Sequence, residues 1–234
     1  MSRSRVDGQP AYVLHSYPFR ETSLIVEVFS RDHGRVALLA RGPRSVLGGL
    51  LLAFQPLELG WAGKGEVPTL MKAEWQGGQP LLSGKALFFG YYLNELLLHL
   101  LPREDTHASL FAAYAAVLRR FADDLQEADL RRFERALLQE LGYGLTLTHD
   151  EQGVVIDPDA HYAYEIERGP VRLARPGNSA LSVRGKTLLD LADDALSDPA
   201  TQAEAKQMMR ALINHHTGGK RLETRKIFME LQEL

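Results

Sequence analysis

The sequence predicts an α+β protein in which a small β-barrel is followed by a helical domain. Short apolar runs separated by turn residues fill residues 11–76, and the hydrophobic period changes to that of helices after "GGQP" at 77–80. The helical period is then lost once, over about 143–180, where Gly, Pro and Asp alternate with short β-like pieces. We therefore predict domains at 1–80 and 81–234, the second with a small irregular insertion that contains β-structure.

Five strands are expected in the first domain. They cover residues 11–17, 22–30, 35–42, 55–63 and 66–75. "RDHG" makes a tight turn between the second and third strands, and Gly63-Lys64-Gly65 joins the last two. The longer connection at 43–54 suits a five-stranded Greek-key barrel of the OB type, which often carries a helix there. An SH3-like barrel also fits.

Six helices are expected in the second domain. They cover residues 82–101, 107–122, 128–142, 185–196, 200–216 and 222–231. The first ends at Pro102, and the third stops at Gly142. Asn94 and Glu95 interrupt the most apolar window, which is shorter than the roughly 20 residues that a membrane-spanning helix needs. We expect a buried helix and no membrane contact.

Composition narrows the function classes. The chain has 234 residues, 45% of them hydrophobic, with a net charge of −3 and no cysteine. Disulfides, thiolate nucleophiles and Cys-ligated zinc are excluded, and the polar N-terminus has no secretory signal, so we expect a cytoplasmic protein. Residues 1–80 hold nine basic against seven acidic residues, and the remainder is acidic. Any basic surface must therefore be local.

Sequence motifs nominate no enzyme. Nucleotide-binding, zinc-protease, serine-hydrolase and EF-hand patterns are missing. The cluster His149, Asp150, Asp157, Asp159 and His161 could bind a divalent cation, and its Asp157, Asp159 and His161 segment could serve a metal-dependent phosphodiesterase. In a turn-rich segment, however, such residues more often form Asx turns. We expect no metal and no cofactor.

Arginines surround the third strand. Arg31, Arg35, Arg41 and Arg44 fall within 14 residues, against only Asp32. In a small barrel the third strand and its loops can form an open face that binds single-stranded nucleic acid, with cations on phosphates and aromatic rings on bases. The alternative is a well-solvated hairpin.

A second basic patch, "GGKRLETRK", begins after the fifth helix. Lys220 and Arg221 directly follow two glycines. They could extend a phosphate track, or simply make the start of the last helix soluble.

Three further arginines lie on the third helix. Arg131 and Arg135 are four residues apart and share a face beside the apolar stripe of Leu130 and Phe133, and Arg132 is adjacent. An arginine at the rim of an apolar groove can capture a peptide that ends in a carboxylate next to a hydrophobic side chain. Pairing within the helix, as between Glu127 and Arg131, is the alternative.

Four blocks together resemble the bacterial DNA-repair and recombination mediator family called RecO. They are "AYVLHSYPFRETSLIVEVFSRDHGRVALLARGPRS", "FGYYLNELL", "LRRFERALLQELGYG" and "GGKRLETRKIF", in this order over nearly the whole chain. The resemblance implies an N-terminal OB-fold, a helical C-terminal domain and no catalytic centre. Many relatives carry a four-cysteine zinc site in the irregular region, which this cysteine-free chain cannot form.

The resemblance also implies partners. These are single- and double-stranded DNA, the RecR protein, the acidic, Phe-ended C-terminal tail of the single-stranded-DNA-binding protein, and indirectly the RecA recombinase, at the bacterial nucleoid. Annealing of complementary strands and help in loading RecA would be its tasks. Arg131 corresponds to the family's tail-binding arginine, with Arg132 and Arg135 added by proximity, and Arg35, Arg41 and Arg44 lie in its DNA-binding block.

A protein-interaction adaptor with incidental DNA binding is the competing hypothesis. Tight peptide binding combined with weak, strongly salt-dependent DNA binding would favour it.

Overall fold

The structure, a computed structural model, describes residues 5–42, 49–177 and 181–232. Its strands are β1 (Arg5–Phe19), β2 (Ser23–Ser30), β3 (Gly34–Arg41), β4 (Leu57–Ala62), β5 (Thr69–Trp75), β6 (His161–Glu165), β7 (Gly169–Leu173) and β8 (Ser182–Arg184). Its helices are α1 (Gly84–Leu100), α2 (Ala108–Asp123), α3 (Glu127–Glu140), α4 (Gly185–Ala192), α5 (Pro199–His216) and α6 (Glu223–Gln232). The predicted α+β order, with sheet first and helices after it, is confirmed.

The first five strands close into a barrel in the order β1-β2-β3-β5-β4. Neighbouring strands are antiparallel except β3 and β5, which meet in parallel at Leu39 and Thr69. Alternate residues fill the interior, so that Val26 of β2 lies opposite Leu38 of β3 inside the core. Because successive side chains of a strand point to opposite faces, Ile25 and Leu39 lie on the outer face of the barrel.

Helix α2 covers one end of that outer face. Tyr12 of β1 and Phe29 of β2 are buried there, with ring centroids 5.6 and 5.4 Å from that of Phe111. Tyr114 adds two edge-on contacts to the same rings. Such aromatic packing fixes the orientation of the helix as well as burying area.

A buried polar chain ties both helices to a bulge in β1. The register of β1 shifts between Val13 and His15, and the carbonyl of Leu14 accepts a hydrogen bond of 2.9 Å from Asn94 Nδ2 on α1. The Tyr114 hydroxyl donates to Asn94 Oδ1 at 2.5 Å. Burial raises the pKa of Tyr114 well above its ordinary value, which keeps the hydroxyl protonated as a donor.

The loop after α1 is bonded to the turn between β2 and β3. The Glu104 amide donates to the Arg35 carbonyl at 2.9 Å, and the Thr106 hydroxyl donates to the Asp32 carbonyl at 3.1 Å. These bonds join the barrel to the helical part of the same unit in addition to the contact of Asn94 with β1.

Helix α6 is held by a carboxylate of α1. Glu95 accepts bonds of 2.7 and 3.1 Å from the backbone amides of Glu223 and Thr224, and one of 2.5 Å from the Thr224 hydroxyl. Since the first amides of a helix lack partners within the helix, this distant carboxylate does the work of an N-cap.

The chain forms two compact units. The N-terminal unit comprises Met1–Leu125 and Leu222–Leu234, and the central unit comprises Gln126–Arg221. In the central unit, a three-stranded sheet of order β7-β6-β8 shares a core with α3, α4 and α5 in which Leu138, Tyr162 and Met208 are fully buried. The compact units therefore divide after Leu125, whereas the change from strands to helices falls near residue 80 as predicted.

One strand boundary differs from the prediction, and one predicted segment cannot be compared with the structure. β1 begins at Arg5 instead of residue 11, because Gly8 and Pro10, which usually interrupt a strand, are accommodated beside a second register shift. Residues 43–48, and with them Arg44 and part of the proposed connecting helix, lie outside the described residues. Among the described helices, none combines the length and the apolar character needed to cross a membrane.

Candidate nucleic-acid interface

As far as the structure describes the chain, the outer face of β1–β3 is uncovered at the end opposite to α2. Two cross-strand rows lie there, Tyr17 beside Ile25 and Leu39, and Phe19 beside Ser23 and Arg41. Tyr17 is 46% exposed, Phe19 38%, and Arg41 is exposed as well. Exposed aromatic rings next to a cation can stack bases and neutralise phosphate.

The β1–β2 turn adds a further cation to this surface. Arg20 has a φ of +54°, uncommon for a residue with a side chain, and its guanidinium carbon lies 5.2 Å from the centroid of the Phe19 ring. The ring of His15 contacts that of Tyr17 edge-on, with centroids 4.4 Å apart. We call Tyr17, Phe19, Arg20 and Arg41 the open-face cluster.

The arginines around β3 do not form one patch. Arg31 precedes the strand and Arg41 ends it, so the eight residues of β3 separate them by about 25 Å. Arg31 is exposed but makes two bonds, of 2.9 and 3.0 Å, to its neighbour Asp32. Only Arg41 of the four predicted arginines belongs to the open-face cluster, and Arg44 lies outside the described residues.

Arg35 is placed differently from the prediction. Its side chain is only 16% exposed, donates to the Leu98 carbonyl and lies 3.9 Å from the buried carboxylate of Glu27. Burial lowers the pKa of Arg35, and Glu27 offsets that effect only in part. A guanidinium in this position links the barrel to α1 and has little surface left for a phosphate. The expected DNA contact of Arg35 does not fit this placement.

Arg103 is a cation that the sequence reasoning missed. It follows α1, is 45% exposed on its side chain, and forms an ion pair with Glu27. Because Glu27 faces both Arg35 and Arg103, this group keeps one net positive charge. No local pattern could have found it, since Arg103 lies 76 residues from Glu27 in the chain.

Arg131 of α3 is buried. Its side chain is 8% exposed, donates to Glu134 Oε1 at 2.8 Å and points to the Lys206 carbonyl at 3.4 Å. Glu134 is itself fully buried. The expected capture of a peptide carboxylate by Arg131 does not fit this placement, because the guanidinium already neutralises a carboxylate inside the core of the central unit.

Arg135 and Arg132 are also partnered. Arg135 donates to the carbonyls of Leu191 and Ala192 at the end of α4, where the helix dipole favours a cation. Arg132 is 32% exposed on its side chain and bonds to both oxygens of Asp194, at 2.7 and 3.0 Å, and to Asp129 at 2.7 Å. Arg132 differs from the other two in that its guanidinium is partly exposed and already holds a side-chain carboxylate at the surface, that of Asp194.

Two of the five residues proposed as metal ligands hold turns instead. Asp150 accepts bonds of 2.9 Å from the amides of Gln152 and Val154, and Asp157 accepts one of 3.0 Å from the Asp159 amide. These are Asx turns, as the alternative interpretation expected. Within residues 5–42, 49–177 and 181–232, no three His, Cys, Asp or Glu side chains are grouped to hold a metal ion.

Comparison with known proteins identifies the family. Residues 5–78 match the family model described as recombination protein O N terminal, and residues 81–226 match recombination protein O C terminal. The chain belongs to the RecO family. The two RecO models meet between residues 78 and 81, where the secondary structure changes from strands to helices.

RecO proteins of several bacteria are similar over their whole length. The DNA repair protein RecO of Dechloromonas aromatica strain RCB is 67% identical over 239 aligned residues, which cover 99% of both chains. Those of Azoarcus sp. strain BH72 and Aromatoleum aromaticum strain DSM 19018 are 54% and 53% identical, again with 99% of each chain covered.

Proposed function

We propose that this RecO-family chain is a non-catalytic DNA-repair and recombination mediator. It binds single- and double-stranded DNA, anneals complementary strands and helps to load RecA on strands coated by single-stranded-DNA-binding protein. The barrel serves as an OB-fold, in keeping with its strand order and with the N-terminal family match. The open-face cluster is the observation that supports DNA binding most directly.

Two physical features suit this cluster to single strands. Tyr17 and Phe19 lie on the same face of β1, two residues apart, so their rings can receive successive unpaired bases. Arg20 and Arg41 lie beside them and can contact the backbone without reading sequence. Annealing needs no bond-making group, because neutralising the phosphates of two strands lowers the repulsion that opposes pairing.

Replacing Tyr17 and Arg41 tests this proposal. We expect Tyr17→Ala to weaken binding of a labelled oligothymidylate roughly tenfold, since stacking contributes about 1–3 kcal/mol per base. Arg41→Ala should also lower the slope of log affinity against log salt by about 0.7. Both variants should slow annealing of complementary oligonucleotides in a fluorescence assay.

Met71→Ala and Lys64→Ala are the matched controls, because both residues are exposed on other parts of the barrel unit. Equal binding by all four variants and the wild type would remove the open-face cluster from the proposal. Retained peptide binding with no measurable annealing would favour the adaptor hypothesis.

Capture of the tail of single-stranded-DNA-binding protein is the second part of the proposal, now centred on Arg132. The side chain of Asp194 is 47% exposed and accepts hydrogen bonds from the Arg132 guanidinium, as the carboxylate of a bound peptide would. Asp194 has a φ of +59°, which Asn also tolerates, so Asp194→Asn should leave the fold intact. RecR remains a proposed partner without an assigned surface.

We expect Asp194→Asn to bind an acidic, Phe-ended peptide several-fold more tightly than the wild type, because the exposed one of the two carboxylates that pair with Arg132 loses its charge. Fluorescence anisotropy with the free-acid peptide measures this, and its C-terminal amide is the control. Affinity that does not change in Asp194→Asn and is equal for acid and amide would exclude Arg132 as the carboxylate site.

A further inference from the structure

An aromatic stack at the end of α5 in the central unit has no role in the function proposed above. Tyr143 follows α3 and is 50% exposed. Its ring lies on that of His216, with centroids 4.1 Å apart and 23° between the planes. His215 meets the His216 ring edge-on at 5.2 Å. One face of the Tyr143 ring is therefore covered by His216. The exposed half of the residue includes the opposite face of the ring.

A backbone hydrogen bond holds Tyr143 in place. The amide of Tyr143 donates to the Leu138 carbonyl at 2.8 Å, which ties the residue to the last turn of α3. Burial lowers the pKa of His216, and His215 lowers it further, so the stacked imidazole is mostly neutral near pH 7. The hydrogen bond and the stacking on His216 together hold the exposed Tyr143 ring in a defined orientation.

Two cations follow the C-terminal end of α5 in the chain. Gly218 and Gly219, both at positive φ, turn the chain back so that their amides donate to the carbonyls of His215 and Asn214 at 2.9 and 2.8 Å. The Lys220 amide is 3.4 Å from the Thr217 carbonyl, which keeps Lys220 within one turn of His216. Lys220 and Arg221 are exposed, and neither forms an ion pair with a described residue.

We propose that Tyr143, stacked on His216, is a base-stacking contact for single-stranded nucleic acid, with Lys220 and Arg221 neutralising the adjacent phosphates. A planar base matches an exposed ring surface, and two exposed cations match the charge of the strand. This inference rests on the proposed DNA-binding function but assigns it a second contact, on the central unit and separate from the open-face cluster. An acidic peptide is the other conceivable ligand, and the test distinguishes it.

The test compares an oligothymidylate with an abasic oligonucleotide of equal length, using the full chain. We expect Tyr143→Ala to bind the oligothymidylate roughly five- to tenfold more weakly and the abasic strand as well as the wild type does, because only the former can stack. Tyr143→Phe should bind both normally. The Lys220→Ala/Arg221→Ala double variant should weaken both and lower the salt slope by about 1.4.

Arg175→Ala controls for loss of an exposed cation in the same unit. Photocrosslinking of wild-type protein to an iodouracil-containing strand gives a readout that does not depend on a variant folding, and we expect the crosslinked peptide to contain Tyr143. Normal oligothymidylate binding by Tyr143→Ala, or equal loss on both strands, overturns the inference, as does loss of acidic-peptide binding alone. If Tyr17→Ala binds weakly while Tyr143→Ala does not, the proposed function stands without it.

Discussion

Gly34→Ala is expected to lose more than about 4 kcal/mol of unfolding free energy, among the largest effects of a single methyl group in this chain. A Cβ at this position would lie 1.8 Å from the carbonyl oxygen of Asp105, so backbone must move. The same movement breaks the bonds from Glu104 and Thr106 to the β2–β3 turn. Gly34 also has a φ of +63°, which costs an alanine about 1–2 kcal/mol by itself.

Gly42→Ala separates these two causes. Gly42 has nearly the same φ, +62°, but a Cβ there would meet no atom of the described chain within 4 Å. Urea denaturation followed by circular dichroism should therefore show a loss of only about 1–2 kcal/mol for Gly42→Ala. Similar losses for the two variants would show that the approach of Asp105 to the turn is looser than the structure describes.

Arg131→Ala is expected to destabilise the protein by about 3–5 kcal/mol, because it removes the guanidinium that lies 2.8 Å from the buried carboxylate of Glu134. Weak binding of the single-stranded-DNA-binding protein tail by this variant would then report a damaged central unit and not a lost contact. Thermal and urea unfolding measure the loss directly.

Replacing both members of the pair provides the complementary experiment. Arg131→Met/Glu134→Leu should recover most of the stability, since apolar residues of similar size often replace a buried ion pair without loss. Arg168→Ala, which removes the ion pairs of a 59% exposed arginine with Glu151 and Glu165, should change stability by less than about 1 kcal/mol. A stable Arg131→Ala that still loses tail binding would restore Arg131 as a peptide contact.

The order and type of the elements could be predicted because they depend on local patterns. Alternating apolar residues in 22–30 and 35–42 became β2 and β3, and helical spacing placed α1 to α6 to within a few residues. The capping of α6 by Glu95 could not be predicted from the sequence, because Glu95 and Glu223 are 128 residues apart in the chain. Local patterns carry no record of such pairs.

At the candidate DNA-binding surface, the local pattern predicted the wrong orientation for one residue. Period-2 reading places Tyr17 on the same face as Val13, which lies in the barrel core. The bulge between Val13 and His15 reverses that assignment and turns Tyr17 toward solvent, where it joins Phe19. The ring that best supports DNA binding was thus hidden by a single irregular residue.

The sequence by itself determined the family, the succession of barrel and helices, and the residue types from which an interface could be built, because motifs, periodicity and composition are properties of neighbouring residues. Only the tertiary structure decided which cations remain available. Arg131 is buried against Glu134 and Arg35 is mostly enclosed beside Glu27, while Arg41 stays exposed. The physical reason is that a charge is neutralised by whichever partner folding brings within a few ångströms. Arg131 pairs with Glu134, while Glu127, which the alternative interpretation paired with Arg131, bonds Lys206.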